Sequence, residues 1–170
     1  MLFGDCNPSG RLPVTFYRSD EDLPDFEDYD MASGHTYRYF QGDPLFAFGH
    51  GLSYSRFSYS RARIWRGELV LKVRNRSRIA GDEVVQLYVR KHGDEEGPRL
   101  SLRGFQRVHV PARKSVTVRI PLDDKVFAAY DEASGELRAT PGRFTLYYGS
   151  SSDRHDLNTL NISKRRYQNL

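Results

Sequence analysis

The chain has 170 residues, 38% hydrophobic and 28% charged, with a formal net charge of +4. That composition excludes an intrinsically disordered polymer, and a chain near the common domain size can bury about two-thirds of its extended surface. No apolar run approaches the roughly 18 residues that a spanning helix needs, and Met1-Leu-Phe-Gly-Asp5 lacks the basic-then-apolar pattern of a secretory signal, so neither a membrane segment nor a leader is expected here.

Cys6 is the single cysteine, which rules out an internal disulfide and a thiolate metal cluster. Residues 1–60 carry 4 basic and 9 acidic side chains, net −5, whereas residues 61–170 carry 22 basic and 13 acidic, net +9. Asn7-Pro-Ser-Gly10 is a turn signal, and Gly10–Phe16 reads as a short extended stretch with Leu12, Val14 and Phe16 on one side. Pro13 lacks a backbone donor and confines that stretch to an edge. Asp20–Asp30 holds seven acids in eleven residues. A calcium loop starting at Asp25 would place Asp30 where glycine is required and Thr36 where the closing glutamate belongs, so a solvated acidic loop is expected instead.

His35–Phe40 and Gly42–Tyr54 follow, and thirteen aromatic residues lie in the first sixty. A coil with few ladder bonds needs buried rings to offset the entropy of ordering it. These rings are therefore read as pins that fix an irregular segment to a larger body. Gly49 and Gly51 around His50 point to a backbone bend or close approach, and His50, with no second ligand nearby, is read as structural.

From Phe57 onward the pattern changes to short strands. Phe57–Trp65 opens the series. Gly67–Arg74 alternates, with Leu69, Leu71 and Val73 inward and Val70, Lys72 and Arg74 outward. Glu83–Arg90 places Val85, Leu87 and Val89 on one face. Leu100–Val110, Ser115–Pro121, Val126–Tyr130, Glu136–Ala139 and Arg143–Tyr148 supply the rest. Turn chemistry separates them at 91–98, 111–114, 131–135 and 141–142. With no helix long enough for a crossover, the expected fold class is all-β: an antiparallel, immunoglobulin-like sandwich preceded by an irregular N-terminal segment.

Catalytic chemistry is hard to place on this scaffold. Glycoside cleavage needs two carboxylates facing across a pocket, but the acids here cluster in turns. Phosphate-loop, zinc-helix and nucleophile-elbow motifs are absent. The basic excess of the second half alternates with acids and lacks interleaved rings, so no nucleic-acid partner is expected. The tail Lys164–Arg166 is read as an ordinary basic terminus.

Five segments then carry a resemblance: Gly4-Asp-Cys-Asn-Pro-Ser-Gly-Arg-Leu-Pro-Val-Thr-Phe16, Asp28–Met31, Tyr37-Arg-Tyr-Phe40, Pro44-Leu-Phe-Ala-Phe-Gly-His-Gly-Leu-Ser-Tyr54 and Gly81-Asp-Glu-Val-Val-Gln-Leu-Tyr-Val89. Leu102–Val108, Tyr130-Asp-Glu132 and Pro141–Leu146 extend it. Together they resemble the C-terminal part of family 3 glycoside hydrolases, the β-glucosidase and β-xylosidase family. The resemblance implies a last edge of an α/β sandwich domain over residues 1–16, an aromatic- and acid-rich linker over 17–56, a fibronectin type III-like β-sandwich over 57–165 and a tail over 166–170. It implies that the family's aspartate nucleophile lies on a catalytic barrel and its glutamate acid/base in an α/β domain; no position here matches either motif, so neither role is carried over. Those domains are the implied partners, in the same chain or on a separate polypeptide; a misplaced start or broken gene is the other origin considered. His35 and His50 depart mildly from the Arg and Tyr commoner in the family. The expected function is a non-catalytic module or fragment that supports stability and assembly. The alternative is a carbohydrate-binding or protein-interaction sandwich that contacts β-linked glycans through exposed rings. Tyr37, Tyr39, Trp65 and Tyr88 are the candidate carbohydrate or domain contacts; no catalytic residue, metal or cofactor is expected.

Overall fold

The computed structural model describes residues 1–131 and 134–163. Its strands are β1 (Phe57–Tyr59), β2 (Arg63–Trp65), β3 (Glu68–Asn75), β4 (Gly81–Lys91), β5 (Ser101–Val110), β6 (Ser115–Pro121), β7 (Ala128–Asp131), β8 (Glu136–Ala139), β9 (Arg143–Gly149) and β10 (Leu157–Ser163). All pairings are antiparallel. In the first sheet β6 lines one edge of β3 while β1 and β2 share the other; the second runs β10-β9-β4-β5, and β7 with β8 forms a separate hairpin. The sheets face each other as an open sandwich.

Period-two alternation builds the core. Leu69, Leu71 and Val73 of β3, with Val118 and Ile120 of β6, meet Val85, Leu87 and Val89 of β4, Val110 of β5, and Phe144, Leu146 and Tyr148 of β9. Each such side chain, once out of water, contributes about 1.5–3 kcal/mol. Tyr148 also joins the sheets through hydrogen bonds, because its buried hydroxyl accepts from the Ala62 N–H at 2.9 Å. Between β2 and β3, Arg66 and Gly67 have φ of 52° and 73°, the paired left-handed geometry of a two-residue hairpin turn.

Several sequence-based expectations need correction. The stretch 57–65 is two strands, β1 and β2, because Ala62 turns into the core between them. Val126–Tyr130 does not start as a strand: Asp124–Phe127 is a 3-10 turn capped by the Asp123 carboxylate, which accepts from the Val126 N–H, and extended structure begins at Ala128. The turn lets both Val126 and Phe127 enter the core, which an alternating strand could not do. β10 was not anticipated, since its apolar positions Leu157, Leu160 and Ile162 do not alternate strictly. Val70, expected outward, is buried on the outer face between the registered Arg63 and Arg119, whose long stems flank it.

The segment before β1 is irregular, as expected, apart from a 3-10 turn at Asp20–Asp22 and one helical turn at Thr36–Tyr39. The extended stretch near Pro13 pairs with residues 46–50: Leu12 N–H donates to the His50 carbonyl at 2.9 Å, Gly49 N–H to Leu12 at 2.8 Å, and Phe16 and Phe46 exchange bonds at 2.9 and 3.2 Å. It is a bridge rather than a strand, and Val14 and Phe16 remain largely exposed. The turn expected at 131–135 falls partly outside the described residues, and the basic tail expected from Lys164 falls wholly outside them.

Candidate functional site

The most built-up region is the seam where residues 1–56 wrap over the sandwich. Its centre is Glu83, at the start of β4 and in phase with Val85, Leu87 and Val89. It is 2% exposed. A carboxylate there must be paired, and it is: Arg11 Nη2 reaches Oε2 at 2.7 Å and the Tyr59 hydroxyl donates to Oε1 at 2.6 Å. Burial pushes the Glu83 carboxyl above its ordinary range, against the pull of Arg11 and the Tyr59 hydrogen bond, with Asp156 adding to the rise. Burial also drives the Tyr59 phenol upward. Three distant parts of the chain, the wrapping segment, β1 and β4, thus meet in one clasp.

A second tie is Asn7. Its amide donates to Ser55 Oγ at 2.9 Å and the Ala80 carbonyl at 2.8 Å, while its oxygen accepts from Ser53 Oγ at 3.0 Å and Tyr54 N–H at 2.9 Å. Farther along, the second sheet's outer face receives the wrapping rings. Tyr37 stacks on Phe48 with centroids 4.4 Å apart and meets Tyr88 edge-on at 5.7 Å. Tyr88 donates to Gln86 Oε1 at 2.6 Å, and Gln86 in turn donates to the Gly49 carbonyl at 3.4 Å. Gly49 has φ of +82°, and a Cβ there would run into the Gln86 carboxamide, so only glycine suits the position.

The four candidate contact residues therefore do not form one site. Tyr37 and Tyr88 meet, but as an internal contact: Tyr88 is fully buried, which overturns its reading as an exposed ring, because the wrapping segment covers that face. Tyr39 is half-buried with the Arg38 guanidinium 5.7 Å from its ring centre. Trp65 sits on the opposite sheet. It is exposed as expected, yet the guanidinium groups of Arg66 and Arg119 already lie over its ring at 4.5 and 4.9 Å. Sequence reasoning missed Arg11, Glu83, Asn7 and Gln86. One signal was available for Glu83, an acid sharing the phase of three core residues.

Beside the wrapped face lies a cleft of about 500 Å³ between Tyr37, Phe40 and Pro44 on one side and Arg90, Tyr147 and Thr159 on the other. Asp43 and Asp153 line it. The Asp43 carboxylate is 83% exposed and pairs with Arg18 at 3.0 Å, and Asp153 accepts from the His155 N–H at 2.8 Å. Neither carboxylate is buried. Asp25, Asp28 and Asp30 of the acidic loop each accept from the N–H two residues on, at 2.8–2.9 Å. Among the described residues, no group of three potential ligands is placed to hold a metal, and no helix is long and apolar enough to cross a membrane.

Comparison with known proteins fits this two-part layout. Residues 1–54 match the glycosyl hydrolase family 3 C-terminal domain, and residues 83–152 match the fibronectin type III-like domain. The chain corresponds to the C-terminal region of family 3 glycoside hydrolases. A xylan 1,4-β-xylosidase of Xylanibacter ruminicola is 41% identical over 169 residues, covering 96% of this chain and 19% of that protein. A probable β-glucosidase K of Emericella nidulans is 35% identical over 89% of this chain and 20% of its own length. Among solved structures, the β-glucosidase of Kluyveromyces marxianus in complex with glucose superposes with a TM-score of 0.84 at 27% identity, over 96% of this chain and 22% of that one. The chain thus spans about a fifth of the length of these family 3 relatives. The fibronectin-like match begins at Glu83, but the sandwich does not: β3, upstream of it, supplies Leu69, Leu71 and Val73 to the core.

Proposed function

We propose that this chain is the non-catalytic C-terminal module of a family 3 β-glycosidase of the β-glucosidase or β-xylosidase type, and that it supports the stability and assembly of the enzyme that hydrolyses the O-glycosyl bond. On this reading residues 1–16 continue an α/β domain, residues 17–56 link it to the sandwich, and the catalytic barrel and α/β domains are the partners, in the same chain or another. One observation carries the reading. The wrapping segment is pinned to the sandwich on its inner side by Asn7, Arg11 and Tyr37, while it turns apolar groups outward: Phe3 and Phe26 are each 93% exposed, and Phe16 and Phe46 sit half-open on the paired stretch. Apolar groups concentrated in this way mark a surface that belongs against another body. Glu83, the one buried acid among the described residues, is committed to Arg11 and Tyr59.

The purified chain should show no turnover of aryl glucosides or xylosides above buffer. Co-expression with the barrel and α/β portion of a family 3 relative should give a co-purifying, active complex. Hydrolysis by the chain alone that is lost on replacing Asp43 or Asp153 would refute the reading, and failure of the two parts to associate would dispose of its separate-polypeptide form.

A further inference from the structure

The wrapping segment covers the outer face of the second sheet, and the outer face of the first sheet has a different character. Arg63, Lys72, Arg74 and Arg119 all point outward there and are exposed. Register places Arg63 and Arg119 on either side of Val70, with Lys72 and Arg74 following on β3 opposite Thr117 and Ser115. Strands lie about 4.8 Å apart and same-face residues about 6.8 Å apart along a strand, so each cation stands within roughly a Debye length of its nearest neighbour in the row and their potentials add.

Among the described residues Arg63, Lys72 and Arg74 form no ion pair, and Arg119 alone of the four is paired. Between residues 56 and 78 there are eight basic residues and one acid. That acid, Glu68, pairs with Arg119 at 3.0 Å. Three of the four face residues are arginine, whose planar fork donates two hydrogen bonds to a carboxylate and is less strongly hydrated than an ammonium group. Among the described residues the one large ring on this face, Trp65, is already covered by Arg66 and Arg119. It therefore lacks the free ring on which a nucleic-acid base would stack, and it presents no projecting helix or ribbon to enter a groove.

We propose that this face docks an acidic polysaccharide, a glycan whose uronic-acid carboxylates pair with the arginine rows. Preference for a saccharide over other polyanions rests on the glycosidase reading above; the charged face does not. Because the face lies across the sandwich from the wrapping segment, a glycan could occupy it while the other side packs on a catalytic body.

The test uses the full 170-residue chain and polygalacturonate, with its methyl ester as a neutral copy of the same backbone, in affinity electrophoresis and calorimetry. Polygalacturonate should bind, and raising salt from about 50 to about 200 mM should weaken binding at least about tenfold. The ester should bind at least about tenfold more weakly, as should the Arg63→Glu/Lys72→Glu/Arg74→Glu variant, whereas Arg154→Glu, beside the cleft on the other side, should bind as the parent does. Near-ultraviolet circular dichroism checks the fold, and the Gln triple variant replaces the Glu one if charge reversal unfolds the chain. Equal binding of the ester, or unchanged binding by the folded triple variant, would overturn the proposal. So would tighter binding to duplex or single-stranded DNA, or to anionic vesicles, at matched charge. No turnover or partner domain enters the measurement, so its failure leaves the assembly experiment standing, and the reverse also holds.

Discussion

At Glu83, one carboxylate carries the contact between the wrapping segment and the sandwich. Removing one member of a buried ion pair leaves the other charged and desolvated, which costs about 3–5 kcal/mol, whereas replacing both with apolar groups of similar size is often near neutral. Glu83→Ala should therefore lower unfolding free energy by about that amount in urea melts, and Arg11→Met/Glu83→Leu should recover most of it. The pH dependence follows from the raised carboxyl. The folded chain binds the Glu83 proton more tightly than the unfolded chain does, so stability falls as pH climbs from the ordinary value of 4.5 through the folded one. Arg11→Met removes a charge that holds this rise back and should deepen the loss at neutral pH. Asp82 behaves oppositely. A hydrogen bond with His109 and those from Arg107 hold its carboxyl below the ordinary 3.8, so its contribution is present above that value and lost as pH falls through the folded one. Carboxyl NMR titration of His109→Ala should show the Asp82 midpoint moving up; an unmoved midpoint would mean that His109 plays no part.

Among the elements, β4 connects the two layers of packing. Its inward side chains Val85, Leu87 and Val89 form the core, and its outward Gln86 and Tyr88 form the floor on which Tyr37, Phe48 and Gly49 rest. This is why β4 is buried on both faces, although strands of a small sandwich usually keep one face wet. Gly49→Ala puts a Cβ into the Gln86 carboxamide at a left-handed φ. The expected result is a loosened wrapping segment on an intact sandwich: faster amide exchange over residues 37–50, with protection of Leu87 and Leu146 retained. Equal loosening of the core would show that the two layers fold as one unit.

For the whole molecule, the organising fact is that the two outer faces differ: one is covered by aromatic packing and the other is bare and basic. Deleting residues 1–56 would uncover Tyr88 and Gln86 and strip Glu83 of Arg11. The truncated sandwich should accordingly bind a hydrophobic dye and melt at lower temperature than the full chain, and an unchanged melt would place the stabilising contacts elsewhere. The charge imbalance between residues 1–60 and 61–170 matters at this scale too. It leaves the sandwich strongly cationic, which favours contact with polyanions over self-association.

The sandwich was legible from residue order because strand faces follow local alternation: Leu69, Leu71, Val73 and Val85, Leu87, Val89 declared their side two residues at a time. The family resemblance was legible for a similar reason, since its motifs are contiguous. What covers an outward face is not local information. Tyr88 reads as an exposed ring because its covering partners, Tyr37 and Phe48, lie 40 residues or more upstream in a segment without any period. The pairing of Arg11 with Glu83 spans 72 residues, and the basic face sets Arg119 across Val70 from Arg63 only once β6 has closed on β3. Side-chain alternation sets which way a residue points. Only long-range packing decides whether water, a ring or a charge meets it there.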